Sequence, residues 1–316
     1  MTVRNTRGPR NCRGFALLVV LWAVTGISAV AVALSLLTRE AVDAAGNRMG
    51  LIRAEWKATE CVERVRALID GTLWLDVADA GTTVARWNAL RDVLRAADNQ
   101  EDLGCTIRLW PEGAALDINS ATERQISEVL TVVGASRPYA DSFAAAVADW
   151  RDDDDASRAR GAEVAWYQRR GLPRPRNAAL AAVEELRRIR GYDSTLRFDT
   201  LFGIEPSKIL WPMAPLAVLA ALPGMTNETV RLIAGERRAG RGTPQPGALV
   251  DLVSASAGDT LEAHMAELLG DISMTVTSWF LRSTATHGSP PVEASLEVRL
   301  GLADRRLAVL RRRSLP

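Results

Sequence analysis

The chain has 316 residues, enough for one or two domains, and its apolar share of 47% is ordinary for a folded protein. Basic and acidic residues number 39 and 38, a net charge of +1. That balance excludes an overall basic footprint for nucleic acid.

The first element is a leader with Arg4, Arg7, Arg10 and Arg13 and no acidic residue. An uncharged apolar run from Phe15 to Leu37 follows, closed by Arg39 and Glu40. About 23 residues of helix cross a bilayer core of roughly 30 Å. The arginines predict a cytoplasmic N-terminus with the rest of the chain outside. Two plainer readings stay open: a secretory signal cut at Ala29-Val30-Ala31 or Ala31-Val32-Ala33, and an uncleaved anchor.

From Thr38 to Asp70 there is no proline. Ala45, Met49, Ile52 and Trp56, then Val62, Val65 and Ile69, recur at helical spacing and predict one apolar face. The membrane helix is therefore expected to continue to about Gly71, roughly 80 Å from Phe15. A second helix is expected over Val84–Ala97. Cys105–Trp110 has strand character, Pro111-Glu112-Gly113 is a turn, and Ala114–Ile118 is expected to return as a hairpin partner.

A helical block follows. Ser120-Ala121-Thr122-Glu123 is an expected capping box, opening a helix to Val133 with Gly134 as its stop. Another helix is expected over Pro138–Asp149, then a loop to Asn177. Further helices are expected at Ala178–Ile189, Pro215–Ala221 and Glu228–Ala239, with one more inside Leu249–Leu269. Strands return at Thr275–Ala285, Val292–Leu300 and Arg305–Arg313. In the middle one, Val292, Ala294, Leu296, Val298 and Leu300 alternate strictly with polar residues, as in a sheet packed on one side. Strands flanking a helical block imply an α+β core with a helical insert. The expected divisions are a leader at 1–14, a transmembrane helix at 15–37, core at 38–117, insert at 118–271 and C-terminal core strands at 272–316.

Two stretches of the insert look like helix-hairpin-helix units, around Gly134-Ala135-Ser136 and Gly224-Met225-Thr226. Such hairpins can bind DNA phosphates through backbone N–H groups at a helix N-terminus. Here Ser136 and Thr226 replace the second glycine and no basic stripe adjoins, so a structural role is the better reading. DNA uptake by a membrane-anchored receptor is the alternative.

The densest charge cluster is Asp149-Trp150-Arg151-Asp152-Asp153-Asp154-Asp155, with Glu163 beyond. Adjacent carboxylates repel unless solvated or bound to a cation, and calcium takes several oxygen ligands from loops. Asp152, Asp154 and Glu163 sit where an EF-hand has its first, third and twelfth residues, but Ala156 and Ser157 break that pattern. The bland reading pairs the acids with Arg151, Arg158 and Arg160. His264 and His287, the only histidines, show no metal or triad spacing, and neither a nucleophile elbow nor a phosphate loop occurs. No enzymatic activity is expected. Cys61 and Cys105 would lie in an oxidising space and are candidates for a disulfide, or for two separate buried thiols; Cys12 lies in the leader.

Arg13-Gly14-Phe15-Ala16-Leu17-Leu18 resembles the leader junction of type IV pilins and type II secretion pseudopilins. The resemblance implies cleavage between Gly14 and Phe15 by the prepilin peptidase and methylation of Phe15. Most of that family carry glutamate as the fifth mature residue, where this chain has Val19. That departure, the helical insert and the acidic loop resemble the minor pseudopilin K family of type II secretion. The run Ala148-Asp149-Trp150-Arg151-Asp152, then Gly161-Ala162-Glu163 and Tyr167, resembles that family's calcium loop. The resemblance thus implies calcium held by some of Asp149, Asp152, Asp153, Asp154, Asp155 and Glu163. It also implies a pilin-like core and a place at the pseudopilus tip, starting assembly for export of folded proteins. Implied partners are the I- and J-type minor pseudopilins, the major pseudopilin, the inner-membrane assembly platform and the secreted substrate. The implied location is the inner membrane, single-pass, with most of the chain periplasmic.

Overall fold

The computed structural model describes residues 13–75, 104–276, 278–303 and 306–315. The leader, Cys12 and the helix expected at Val84–Ala97 lie outside them. Helix α1 (Arg13–Leu75) is unbroken over 63 residues, about 95 Å. It passes Gly71, where the sequence predicts a stop. A lone glycine weakens a helix by only about 1 kcal/mol and does not by itself end one.

Strands β1 (Cys105–Pro111), β2 (Leu116–Asp117), β3 (Phe202–Gly203), β4 (Ile209–Leu210), β5 (Ile272–Ser273), β6 (Ser278–His287), β7 (Val292–Ala303) and β8 (Arg306–Leu315) follow in chain order. Between them lie helices α2 (Glu123–Val132), α3 (Arg137–Arg151), α4 (Val164–Gln168), a 3-10 turn (Val183–Arg188), α5 (Phe198–Leu201), α6 (Leu216–Ala220), α7 (Asn227–Arg238), α8 (Pro246–Val250), α9 (Ala255–Ala263) and α10 (Met265–Asp271). The principal sheet is antiparallel with order β1-β6-β7-β8. The fold is α+β, a long helix on a four-stranded sheet with a helical insert.

The expected hairpin from β1 does not form. β1 pairs instead with β6, Cys105 opposite Ala285 and Pro111 opposite Trp279. Ala114–Ile118 yields only the two residues of β2, which pair in parallel with β3 inside the insert. β6 offers β1 a full-length amphipathic partner, whereas the short stretch beyond the turn has its apolar residues, Leu116 and Ile118, buried in the insert's core.

The strict alternation of β7 does bury Ala294, Leu296, Val298 and Leu300. Leu296, Val298 and Leu300 pack with Leu281, Trp279 and Leu307 against Ala58, Val62 and Val65 of α1. Helix α1 buries Val62 and Val65 of the expected face, but not the part nearer the membrane. Gly50, Ala54, Ala58, Cys61, Val62 and Val65 are buried, while Met49, Ile52 and Trp56 stay exposed, Trp56 by 72%. Small residues let the helix axis approach the sheet, and the bulky stripe is left outside.

The insert has its own core, which includes Ile118, Ile126, Leu130, Phe143, Val147, Tyr167, Phe202, Trp211, Leu219 and Ile233. Its α2 cap is Thr122, not Ser120: Thr122 accepts from the Gln125 N–H and Gln125 accepts from the Thr122 N–H. Ser120 instead donates to Asp117. The expected loop to Asn177 contains α4, the expected helix at Ala178–Ile189 is only the 3-10 turn, and Leu249–Leu269 holds parts of three short helices.

The insert leaves the sheet at the end farthest from the membrane segment. Gly50 packs beside Val292 and His287 near the membrane end, while Asp70 accepts from the Leu307 N–H at the other. The stem of the insert closes on Gly113, with φ +80°, where a Cβ would lie 2.3 Å from the Lys208 carbonyl oxygen. Only glycine fits that position.

Candidate functional site

Two features stand out: the acidic loop in the insert and the uncovered stripe on α1. Helix α3 carries Asp149 on its inward side, fully buried. The Asp149 carboxylate accepts from Arg158 Nη1 at 2.8 Å and from the Arg158 N–H at 3.3 Å. The same Arg158 Nη1 reaches Asp152 Oδ2, and its Nε donates to Glu123 at 2.9 Å. Hydrogen bonds from Arg158 to Asp149 and Asp152 hold its guanidinium pKa above the ordinary value. Gly161 is obligatory beside them, since a Cβ there would lie 1.9 Å from Asp149 Oδ2.

Glu163, also buried, caps α4 by accepting from the Val164 N–H at 3.0 Å. Asn177, at φ 49°, closes the loop by donating to the Asp154 carbonyl and to Asp155 Oδ1, each at 3.0 Å. Asp153, Asp154 and Asp155 are exposed at the rim. Trp150 meets Tyr167 edge to face beneath the loop. Of the expected arginine partners, Arg158 serves the loop, Arg151 donates to the Ile118 and Ala121 carbonyls, and Arg160 pairs with Asp141.

Three oxygens of this loop are buried without a hydrogen-bond donor: Asp152 Oδ1, Glu163 Oε1 and Asn177 Oδ1. Burying acceptors unpaired costs free energy, so such a set suits a hard cation. No three Asp, Glu, His or Cys side chains among the described residues are grouped as a metal-binding cluster. Arg158 occupies the centre and draws Asp149 and Asp152 to itself. The oxygen chemistry fits calcium; the arrangement is that of a loop with arginine in the cation's role.

Burial pushes the Glu163 carboxyl up to about 6, reinforced by the charges of Asp149, Asp152 and Asp155 and opposed by the Val164 N–H. A raised carboxyl pKa means that the folded state holds its proton longer than the unfolded chain. Stability of the metal-free protein should therefore fall as pH rises from 4.5 to about 6 and then level off. The contribution is up to about 2 kcal/mol, and denaturation at stepped pH in chelator checks it, with Glu163→Gln expected to flatten the slope.

The helical hairpins stand as two units, with α2 packed on α3 and on α6. At the second hairpin, Gly224 lies under α9: a Cβ would meet Leu261 Cα and the Thr260 carbonyl oxygen, each at 3.2 Å. The Cα of Gly224 thus packs against protein, which accounts for a glycine at that position.

On α1, Gly14 and Phe15 lie in the first turn. Val19 is exposed within a stretch that is long and apolar enough to cross a membrane, none of it buried. Met49, Ile52 and Trp56 extend that bare apolar surface past the membrane segment. Beside Trp56, a groove lined by Leu51, Ala58, Leu296, Arg312 and Leu315 separates α1 from β7 and β8. Cys61 and Cys105 are joined in a disulfide that ties α1 to β1. The bare side of α1 had one sequence signal, a bulky stripe alternating with small residues.

Residues 87–198 match the family model described as type II secretion system (T2SS), protein K. No curated protein matches the chain. Among solved structures, the chain is similar to one from the crystal structure of the GspK-GspI-GspJ complex of the enterotoxigenic Escherichia coli type 2 secretion system. Identity is 18% and the TM-score 0.49, covering 67% of this chain and 80% of that one. That family match spans β1, the first hairpin and the whole acidic loop.

Proposed function

We propose that the chain is a minor pseudopilin at the tip of the type II secretion pseudopilus. In this reading it starts assembly with I- and J-type minor pseudopilins for export of folded proteins across the outer membrane. The observation that carries it is the apolar stripe Met49, Ile52 and Trp56, left bare beside a groove and continuous with the bare membrane run. A helix emerging from the membrane with such a stripe is suited to a parallel helix from the same membrane. The insert stands at the far end of the sheet, where in this reading it would block the addition of a further subunit. Val19 supports the same place, since an apolar residue has no carboxylate to offer a subunit above. Trp56→Glu is expected to abolish co-purification with the I- and J-type partners while leaving the melting temperature within about 2 °C. A Trp56→Glu protein that assembles like the wild type overturns this assignment of the docking face.

The prepilin peptidase would cut between Gly14 and Phe15 and methylate Phe15. Later partners would be the major pseudopilin, the inner-membrane assembly platform and the secreted substrate. The protein would be single-pass in the inner membrane, its N-terminus cytoplasmic and its bulk periplasmic. Mass spectrometry of the mature N-terminus should give methylated Phe15; an intact Met1, or a start at Val32 or Leu34, refutes processing. The acidic loop would hold calcium through Asp149, Asp152, Asp153, Asp154, Asp155 and Glu163, with Asn177 closing it. Its role is structural, neutralising carboxylates that the loop holds together, and the three donorless oxygens support it. No reaction is assigned to any of these residues.

A further inference from the structure

The sheet and the insert have separate hydrophobic cores, one around Leu281, Val298 and Leu300 and the other around Ile126, Phe143 and Trp211. Between them runs a seam of charges. From the sheet, Arg108 of β1 pairs with Asp199, Arg282 of β6 reaches Glu184 at 3.2 Å, and Arg311 of β8 pairs with Glu205. All three carboxylates belong to the insert. Under the seam lies a cleft holding the stacked pair Trp110 and Phe280, lined on the insert side by Val183, Phe202 and Ile204.

The covalent joint is narrow. On the sheet side, Glu112 is held by Arg299 at 2.6 Å and by Ser278, and its N–H donates to the Ser278 carbonyl at 2.9 Å. On the insert side, Leu210 donates to the Gly113 carbonyl at 2.8 Å and Trp211 to the Ser273 carbonyl at 2.9 Å. The chain therefore crosses from sheet to insert between Glu112 and Gly113, beside the ends of the insert and sheet at Ser273 and Ser278. A pivot of two adjacent strands fixes position far better than angle.

We infer that the insert is hinged at this stem and latched to the sheet by the ion pairs Arg108–Asp199, Arg282–Glu184 and Arg311–Glu205. Opening the latch strands little on the sheet. Arg282 keeps Glu297 at 2.7 Å, and both Arg108 and Arg282 stay over the Trp110 ring, at 5.5 and 5.6 Å from its centroid. The acids it releases are partly exposed and regain water. Partly exposed pairs are individually weak and are screened by salt, so together they set an angle without locking it. Burial opposes the charge on Asp199, but the Arg108 hydrogen bond together with the charges of Arg108 and Arg197 outweighs it, keeping its carboxyl below the ordinary range, so this pair stays charged at neutral pH. A charged partner surface that competes for these arginines would re-angle the insert on the spine.

The test uses the full chain carrying Cys12→Ser, in detergent with the disulfide intact, with spin labels on Ser194→Cys in the insert and Glu293→Cys on the sheet. At low ionic strength one narrow distance peak is expected. The combined variant Glu184→Arg, Asp199→Arg and Glu205→Arg should lose that peak for a broad, longer distribution, and so should the wild type at about 1 M salt, where screening reaches ~3 Å. The swap Arg108→Asp with Asp199→Arg should keep the narrow peak. If the combined variant does not fold, the salt arm decides on the unaltered protein. An unchanged narrow peak in high salt, or in a folded combined variant, overturns the latch.

Discussion

Arg158→Ala is expected to destabilise the calcium-free protein by about 3–5 kcal/mol, because it leaves Asp149 fully buried with no cation beside it. Asp152 Oδ2 loses its partner in the same step, and Asp152 Oδ1 has no donor to begin with. Millimolar calcium should restore most of that loss if the loop binds the ion, since the metal supplies the charge that the arginine no longer provides. The measurement is a melting curve of wild type and variant with calcium and with chelator. Calcium raising the variant more than the wild type supports the reading. A variant as stable as wild type in chelator would show that Asp149 does not need a charged partner, and calorimetry without binding would remove calcium from the account. Asp149→Asn separates charge from shape, since it keeps the volume under Gly161 and should be milder than loss of the arginine.

Breaking the Cys61–Cys105 disulfide carries the second large effect. The two residues are 44 apart in sequence, and closing a loop of that length in the unfolded chain corresponds to about 4 kcal/mol at 25 °C. For a protein of this size that is roughly a 6 °C fall in melting temperature. Cys61→Ser with Cys105→Ser, or the wild type in strong reductant, should show it. A change under about 2 °C would mean that the sheet holds β1 to α1 without the crosslink. The crosslink matters because β1 touches α1 near its start, while its strand partner β6 comes 167 residues or more later in the chain, a distant and slow contact to form.

Much of the fold was legible because some patterns are local. An uncharged run of this length reads as a helix long and apolar enough to span a membrane, and the alternation of Val292–Leu300 commits one side of that strand to a core. Gly134 as a stop and the turn at Pro111–Gly113 were equally readable, both glycines lying at positive φ. The misreadings share one cause. Periodicity names an apolar face but not what covers it. Helical spacing groups Met49, Ile52 and Trp56 with Val62 and Val65, yet the sheet takes the small side at Gly50, Ala54 and Ala58, which permits the closer approach. The hairpin after β1 failed in the same way, because strand propensity carries no information on which distant strand will pair.

The acidic loop divides likewise. Its carboxylates and their crowding are a property of the sequence. That Arg158 rather than Arg151 answers Asp149, that Gly161 leaves room for them, and that Asn177 closes the loop are decided by how α3 packs against the segments after it. By itself, then, the sequence determined the membrane segment, the strand alternation, the charge cluster and the cysteine supply, all set by residues within a few turns of one another. Tertiary structure alone decided the outward face of α1, the β1–β6 pairing, the arginine at the centre of the loop and the charged seam under the insert. Those depend on volumes and charges brought together from distant parts of the chain, where a difference of one face or one partner is invisible to any local pattern.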